Sequence, residues 1–335
     1  MADWGVSGRA AALHRDAIVW DNTFPFGPSC GAHVAHVATL ERMRAAGYTC
    51  VSLTTASDNE DMPLAMKKLA HDSRFFRRFA DRFVAVERAD DVLRAKREGK
   101  LAVVFTFQGT LPFERDVGFV EMYWRLGVRM ALMAYNQKNN VGDGCHERTD
   151  AGLSRFGVDV VREMNRVGMI VDCSHTGYRT SMDVFEVATG PVVFSHSNVR
   201  ALVDHERNIR DDQAKACART GGVVGINGVG IFLGDNDSSA EAMFRHLDYW
   251  VTLIGPDHVG IGMDCVSDKA VLMNLVQAKA DKYPSGQSYD KDIAFGQPEQ
   301  VPQLTELMLR HGYAEAQVLG ILGGNWLRVA RQVWR

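Results

Sequence analysis

Short apolar runs alternate with amphipathic stretches over most of the chain. Eight runs read as strands: 17–20 (AIVW), 48–54 (YTCVSLT), 101–107 (LAVVFTF), 129–134 (RMALMA), 169–173 (MIVDC), 192–195 (VVFS), 222–227 (GVVGIN) and 258–263 (HVGIGM). Between them, apolar residues at helical spacing predict helices near 40–46, 61–80 (through Leu64, Leu69 and Phe76), 118–126, 156–167, 178–188, 211–219 and 240–254. Three more, near 302–311, 315–322 and 325–333, finish the chain. Strands that are apolar throughout belong to a parallel sheet covered on both faces. Strands that each lead into a helix close most simply as a single-domain α/β fold, the (β/α)8 TIM barrel. A doubly wound sheet would need a Gly-rich phosphate-binding turn after the first strand, and DNTFPFG contains none. Residues 135–154 read as a polar loop, and the hydrophilic stretch at about 265–297 reads as an insertion or lid after the last strand.

Composition narrows the partners. With 335 residues, 46% hydrophobic and 24% charged, the chain buries a large core without disulfide staples. A net charge of -3 argues against a nucleic-acid coat or a polybasic membrane binder. The six cysteines form no C-x-x-C pair, and their scatter suits a reducing cytoplasm. No signal peptide or bilayer-spanning run is visible, so the expected partner is a small molecule, with neither nucleic acid nor membrane. A homodimer is left open.

In barrels the chemistry sits at the C-terminal ends of the strands. The residues there are Asp21, Thr23, Gln108, Tyr135, His175, His196, Asn227 and Asp264. Two histidines follow two different strands, in VDCSHTG and VVFSHSN. Imidazole is the commonest zinc ligand, and a barrel brings neighbouring strand ends into one coordination sphere. Asp264 can add an anionic ligand or a general base for water. A lone strand-end histidine is usually just a hydrogen-bonded residue. Two of them with an aspartate favour a site.

These residues carry a resemblance. GLSRFGVDVVREMNRVGMIVDCSHTG, PVVFSHSNVRAL, RNIRDDQ, HVGIGMD and LGGNWLRVARQVW resemble the renal (membrane) dipeptidase family, zinc peptidases of the amidohydrolase superfamily, over nearly the whole chain. The resemblance implies a (β/α)8 barrel, two zinc ions bridged by a carboxylate, and cleavage of dipeptides. It implies that His175 and His196 hold the second zinc, that Asp264 handles protons at the water, and that Arg207 grips the substrate carboxylate. A guanidinium suits that last contact.

The departures are chemical. Where the family has a His-x-Asp pair for the first zinc, this chain has Asp21 and Thr23; the bridging Glu is Gln108; an oxyanion-stabilising His is Tyr135. Like charges about 4 Å apart repel by roughly 4 kcal/mol per charge pair at an effective dielectric near 20. Two dications without the lost carboxylates are therefore disfavoured. The expected cofactor is one zinc ion rather than two, or none, held by His175 and His196 with Asp264, Gln108 or Asp21. His33, His36, Cys145 and His146 read as solvated or packing residues rather than replacement ligands. Three functions remain in play. The first is a metal-dependent hydrolase of a dipeptide or similar carboxylated amide, with Asp264 and Tyr135 catalytic and Arg207, Tyr135 and Asn227 binding substrate. The second is a single-metal or metal-free enzyme opening a lactam or isomerising another carboxylated metabolite. The third is a non-catalytic binding protein on the same scaffold.

Overall fold

The structure, a computed structural model, describes residues 4–25 and 33–335, with side chains from residue 36 in the second stretch. Nine parallel strands form one sheet: β1 (Trp20–Pro25), β2 (Cys50–Ser57), β3 (Phe83–Ala85), β4 (Leu101–Gln108), β5 (Val128–Leu132), β6 (Ile170–Asp172), β7 (Val192–Val193), β8 (Val224–Ile226) and β9 (Val259–Ile261). Hydrogen bonding runs β7-β6-β5-β4-β2-β1-β9-β8, and a bridge from Phe194 to Val224 joins the ends into a ring. The protein is thus a single-domain (β/α)8 barrel. β3 lies outside the ring, paired with the start of β4.

Every residue of β2 and β4 is buried, as expected for strands covered on both faces. The closing strands approach one another tightly. A Cβ at Gly225 or at Gly262 would lie 2.0 Å from the Ser195 carbonyl oxygen, so glycine is required at both. The helix feeding β6 shows how the surrounding layer forms. Ser154 caps Arg155–Val167 by accepting from Gly157 N, Gly168 ends it with φ 87, and Val160, Val161, Met164 and Val167 face the core.

Boundaries differ from the sequence reading where polarity misleads. The first strand runs Trp20–Pro25, not 17–20. Asp21 pairs with Val51 and Ile261, Asn22 and Thr23 bulge out of register before Phe24, and all three are buried at the mouth. The helices Gly8–Asp16 and Ala89–Glu98 and strand β3 have no counterpart in that reading. The hydrophilic stretch after β9 holds a helix, Lys269–Ala278, capped by Asp268. It folds over the mouth, where Val276, Tyr283, Tyr289 and Ile293 cluster with Val229, Ile231 and Phe232. Among the described residues no helix is long and apolar enough to cross a membrane.

Candidate active site

The barrel sets the site residues at one rim. Tyr135, His175, His196 and Asp264 each stand three residues past the end of their strand, and Asn227 follows β8 directly. Asp21 and Thr23 lie within β1 and Gln108 ends β4. Two of these residues are held in left-handed backbone, His175 at φ 61 and Asp264 at φ 57. Such a conformation costs a non-glycine residue on the order of 1 kcal/mol or more and clusters where geometry serves function.

The two histidines meet. His175 Nε2 lies 3.0 Å from His196 Nε2. Each ring is fixed through its other nitrogen. His175 Nδ1 is 2.6 Å from Asn136 Oδ1, whose amide nitrogen donates to the Lys282 carbonyl. His196 Nδ1 is 2.8 Å from Thr23 Oγ1 and 2.7 Å from Ser195 Oγ. The Thr23 hydroxyl donates to the Asn22 carbonyl, so its oxygen accepts from His196. Burial, reinforced by the Arg207 guanidinium, holds both imidazoles well below the usual histidine range. Both rings are therefore neutral, with the proton on Nδ1. Two bare Nε2 lone pairs then face each other at hydrogen-bond distance with no proton between them.

That arrangement suits a cation. Two nitrogens at about 2.05 Å from one tetrahedral zinc lie about 3.3 Å apart, close to the separation found. Outer hydrogen bonds that fix tautomer and ring plane are the usual support of metal-ligating histidines. The pair could seat one ion, with its remaining positions left to water or substrate. Among the described residues no three His, Cys, Asp or Glu side chains gather to hold a metal. Asp264 and Asp21 thus do not join the imidazoles in a three-donor group. Gln108 turns its amide to Thr54 Oγ1 at 3.0 Å. Asp21 spends one oxygen on Met263 N at 2.8 Å and Thr23 N at 3.3 Å, and its other oxygen is buried without a partner.

The acids differ in tuning. Burial raises Asp264 to about 6, against the pull of Arg207 and of Asn227, which donates to its Oδ2 at 3.2 Å. Burial also raises Asp21 to about 7, and Asp264 adds to that. Arg207 is almost wholly enclosed, at 2% exposure, with one terminal nitrogen donating to the His196 carbonyl at 3.1 Å. Its Nε has no partner, which leaves a buried donor for an anion. The Tyr135 ring stacks on His175 with centroids 4.0 Å apart, and its hydroxyl meets that of Tyr283 at 2.9 Å. Burial pushes the Tyr135 phenol well above its ordinary range, so it stays protonated. Two hydroxyls sharing one hydrogen bond leave one O–H to donate elsewhere.

Two cavities flank the stacked Tyr135 and His175. One, about 280 Å³, is lined by Gln108 and Tyr135 among others; a smaller one, about 140 Å³, is lined by His175 and by arginines (Arg200, Arg207, Arg210) and carboxylates (Glu147, Asp150, Glu206) alike. The sequence reading missed Asn136, Ser195 and Tyr283, which orient the site residues. His36 is not a solvated loop residue: it sits in the helix His33–Ala45, 6% exposed, edge-on to Phe24. The His33 side chain lies outside the described residues. His146 bonds Glu206 and Tyr289, and the Cys145 thiol faces Asn136 Oδ1, so neither is a spare ligand.

Comparison with known proteins bears on the fold and the family. Residues 31–284 match the model of the membrane dipeptidase family, peptidase family M19. The chain is 31% identical over 264 residues to a dipeptidase of Claviceps purpurea, covering 78% of this chain and 57% of that protein. It is 29% identical over 258 residues to an uncharacterised protein of Klebsiella pneumoniae, covering 74% and 88%. An amidohydrolase from Pseudomonas aeruginosa superposes with TM-score 0.87 at 32% identity, covering 97% and 99%. The chain spans little more than half the length of the fungal relatives it matches. By its family match and its barrel alike, the chain belongs to the membrane dipeptidase family, M19.

Proposed function

We propose that this chain is a hydrolase of dipeptides or similarly small carboxylated amides, working with one divalent ion, zinc first among the candidates. The observation that carries the reading is the convergence of two tautomer-fixed Nε2 atoms at 3.0 Å. An ion held by His175 and His196 supplies Lewis acidity toward an amide carbonyl and toward water. The other groups do protein chemistry around it. Arg207 presents its free Nε to the substrate carboxylate. Asp264, ionised at neutral pH and steadied by Asn227, accepts the proton of the attacking water and returns it to the leaving amine. The spare O–H of the Tyr135–Tyr283 pair faces the developing oxyanion. The stretch around 265–297 acts as the lid that keeps bulk water out, through Tyr283 and Tyr289. A reducing compartment such as the cytoplasm suits the five free thiols among the described residues.

Gln108, neutral where the family resemblance implies a carboxylate, favours a second reading: another reaction on a carboxylated metabolite, such as lactam opening. One experiment separates them. The chain is loaded with zinc or manganese, its metal content is measured, and it is offered a broad amide and dipeptide panel beside a lactam panel. About one ion per chain and turnover of amides that vanishes in His196→Ala is expected. Two tightly held ions, or turnover confined to lactams, refutes the proposal.

A further inference from the structure

We infer that the natural substrate carries a neutral apolar acyl group, not a free α-ammonium, on the carbonyl side of its scissile amide: the class is an N-acyl amino acid. The inference rests on the hydrolase reading for the reaction, and on the 280 Å³ cavity for the specificity. That cavity continues the site outward. Tyr135, which stacks on His175, and Gln108 form its inner wall, and Pro25 and Val266 line it two residues beyond Thr23 and Asp264. Arg207 lies on the other side of the stack, lining the smaller cavity with His175. A substrate with its carboxylate on Arg207 and its carbonyl at the imidazoles therefore extends its acyl side into the larger cavity.

The walls there are apolar: Ala56, Leu64, Val271, Leu272 and Leu275 join Val266. Leu64 and Val271 are 41% and 42% exposed, an apolar rim left open to a ligand. Inside the cavity the charged groups are engaged, and the carboxylate at its rim caps a helix. Glu60, 5% exposed, takes Lys68 Nζ at 3.1 Å on one oxygen and Ser57 N and Oγ at 2.7 and 2.8 Å on the other. Asp268 accepts from Val271 N at the start of its helix. Lys279 donates to Asn59 Oδ1 at 2.8 Å. Neither Asp21 nor Asp264 lines this space. The lining carries two carboxylates and two ammonium groups, and of the carboxylates Glu60 is buried and paired while Asp268 caps a helix at the exposed rim, so a substrate ammonium drawn into the apolar part of the cavity would lose its water with no anion beside it. A methylene chain loses nothing of the kind and gains by burial.

An isosteric pair tests this. Hexanoylglycine and norleucylglycine differ only by the α-ammonium. Binding of each to the 335-residue chain stripped of metal is measured by calorimetry, and turnover of each on the zinc-loaded chain is measured separately. Hexanoylglycine should bind at least tenfold tighter, and affinity should rise about fourfold per methylene from butanoylglycine to hexanoylglycine. Leu275→Asp, on a partly exposed helix face, should shrink or reverse the preference while melting like the wild type. Equal or tighter binding of norleucylglycine, or no binding of either, overturns the inference. A binding preference without turnover of either compound leaves the acyl site standing and sinks the hydrolase reading.

Discussion

The facing lone pairs of His175 and His196 make a prediction that separates a metal site from a packed histidine pair. Thr23→Val with Ser195→Ala removes both hydroxyl oxygens that hold the His196 Nδ1 proton, at 2.8 and 2.7 Å, with little change of volume. If that proton stayed on Nδ1 it would be a buried donor without a partner, costing about 1–3 kcal/mol. The ring has a cheaper course. Its proton moves to Nε2 and is donated to His175 Nε2 at 3.0 Å, so the histidines bond to each other and the cation loses its place. The metal-free protein should therefore melt within about 3 °C of the wild type, because the lost bond is replaced. Zinc affinity should fall about tenfold to a hundredfold, the usual effect of removing the outer partner of a ligating imidazole. Competition against a chelator reads the affinity, and nitrogen chemical shifts of labelled histidine read the tautomer. Zinc binding within threefold of the wild type, or a His196 still protonated on Nδ1, refutes the argument from tautomers.

Other consequences follow from the neighbours of that pair. Arg207→Lys keeps the charge but loses the Nε donor, so KM for a carboxylated substrate should rise roughly tenfold to a hundredfold with a smaller change in kcat, read by steady-state kinetics. Asp264 works as a base only when ionised, so kcat/KM should fall below pH of about 6, and Asp264→Asn should erase that limb and cost about 10²–10⁴ in rate. Asp21 holds its proton more tightly folded than unfolded, its pKa standing near 7 rather than 3.8. The folded chain then binds more protons in that window, and its stability falls as pH rises from about 4 to about 7. Asp21→Asn should flatten this slope in metal-free denaturation curves; an unchanged slope would assign it elsewhere.

The barrel was legible because its strands are buried on both faces and therefore read as apolar runs. The same signal failed at β1, where Asp21 pairs in the ladder, Asn22 and Thr23 bulge from it, and all three polar residues are buried at the mouth. It failed also at Ala89–Glu98, a helix that buries only Ala89, Val92 and Ala95 beneath a charged face. The site was legible to the extent that chemistry sits at strand ends. His175 and His196 could be paired on paper because β6 and β7 are neighbours in the ring. The groups that set their protonation could not. Asn136 lies 39 residues from His175, Thr23 lies 173 from His196, and Tyr283 lies 148 from Tyr135. None carries a local pattern, because each acts through one hydrogen bond made only when the barrel closes.

Charge ties the pieces together. In the enclosed centre, Arg207 contributes one positive charge and Asp264 one negative, while the two imidazoles are neutral. Asp21, with a pKa of about 7, sheds its proton most readily when another cation arrives nearby. If the proposed divalent ion binds, it would draw a second negative charge from Asp21 and leave a single positive charge in excess. A substrate carboxylate on Arg207 brings the centre to neutrality, so substrate and ion should strengthen each other's binding. A second ion would leave two positive charges uncompensated in a space that burial has made poor at screening, with Gln108 unable to offset them. On the proposed reading a single ion is the loading this charge count favours, and coupling between zinc and N-acyl amino acid affinity, measured by titrating each in the presence of the other, should be positive and equal in both directions.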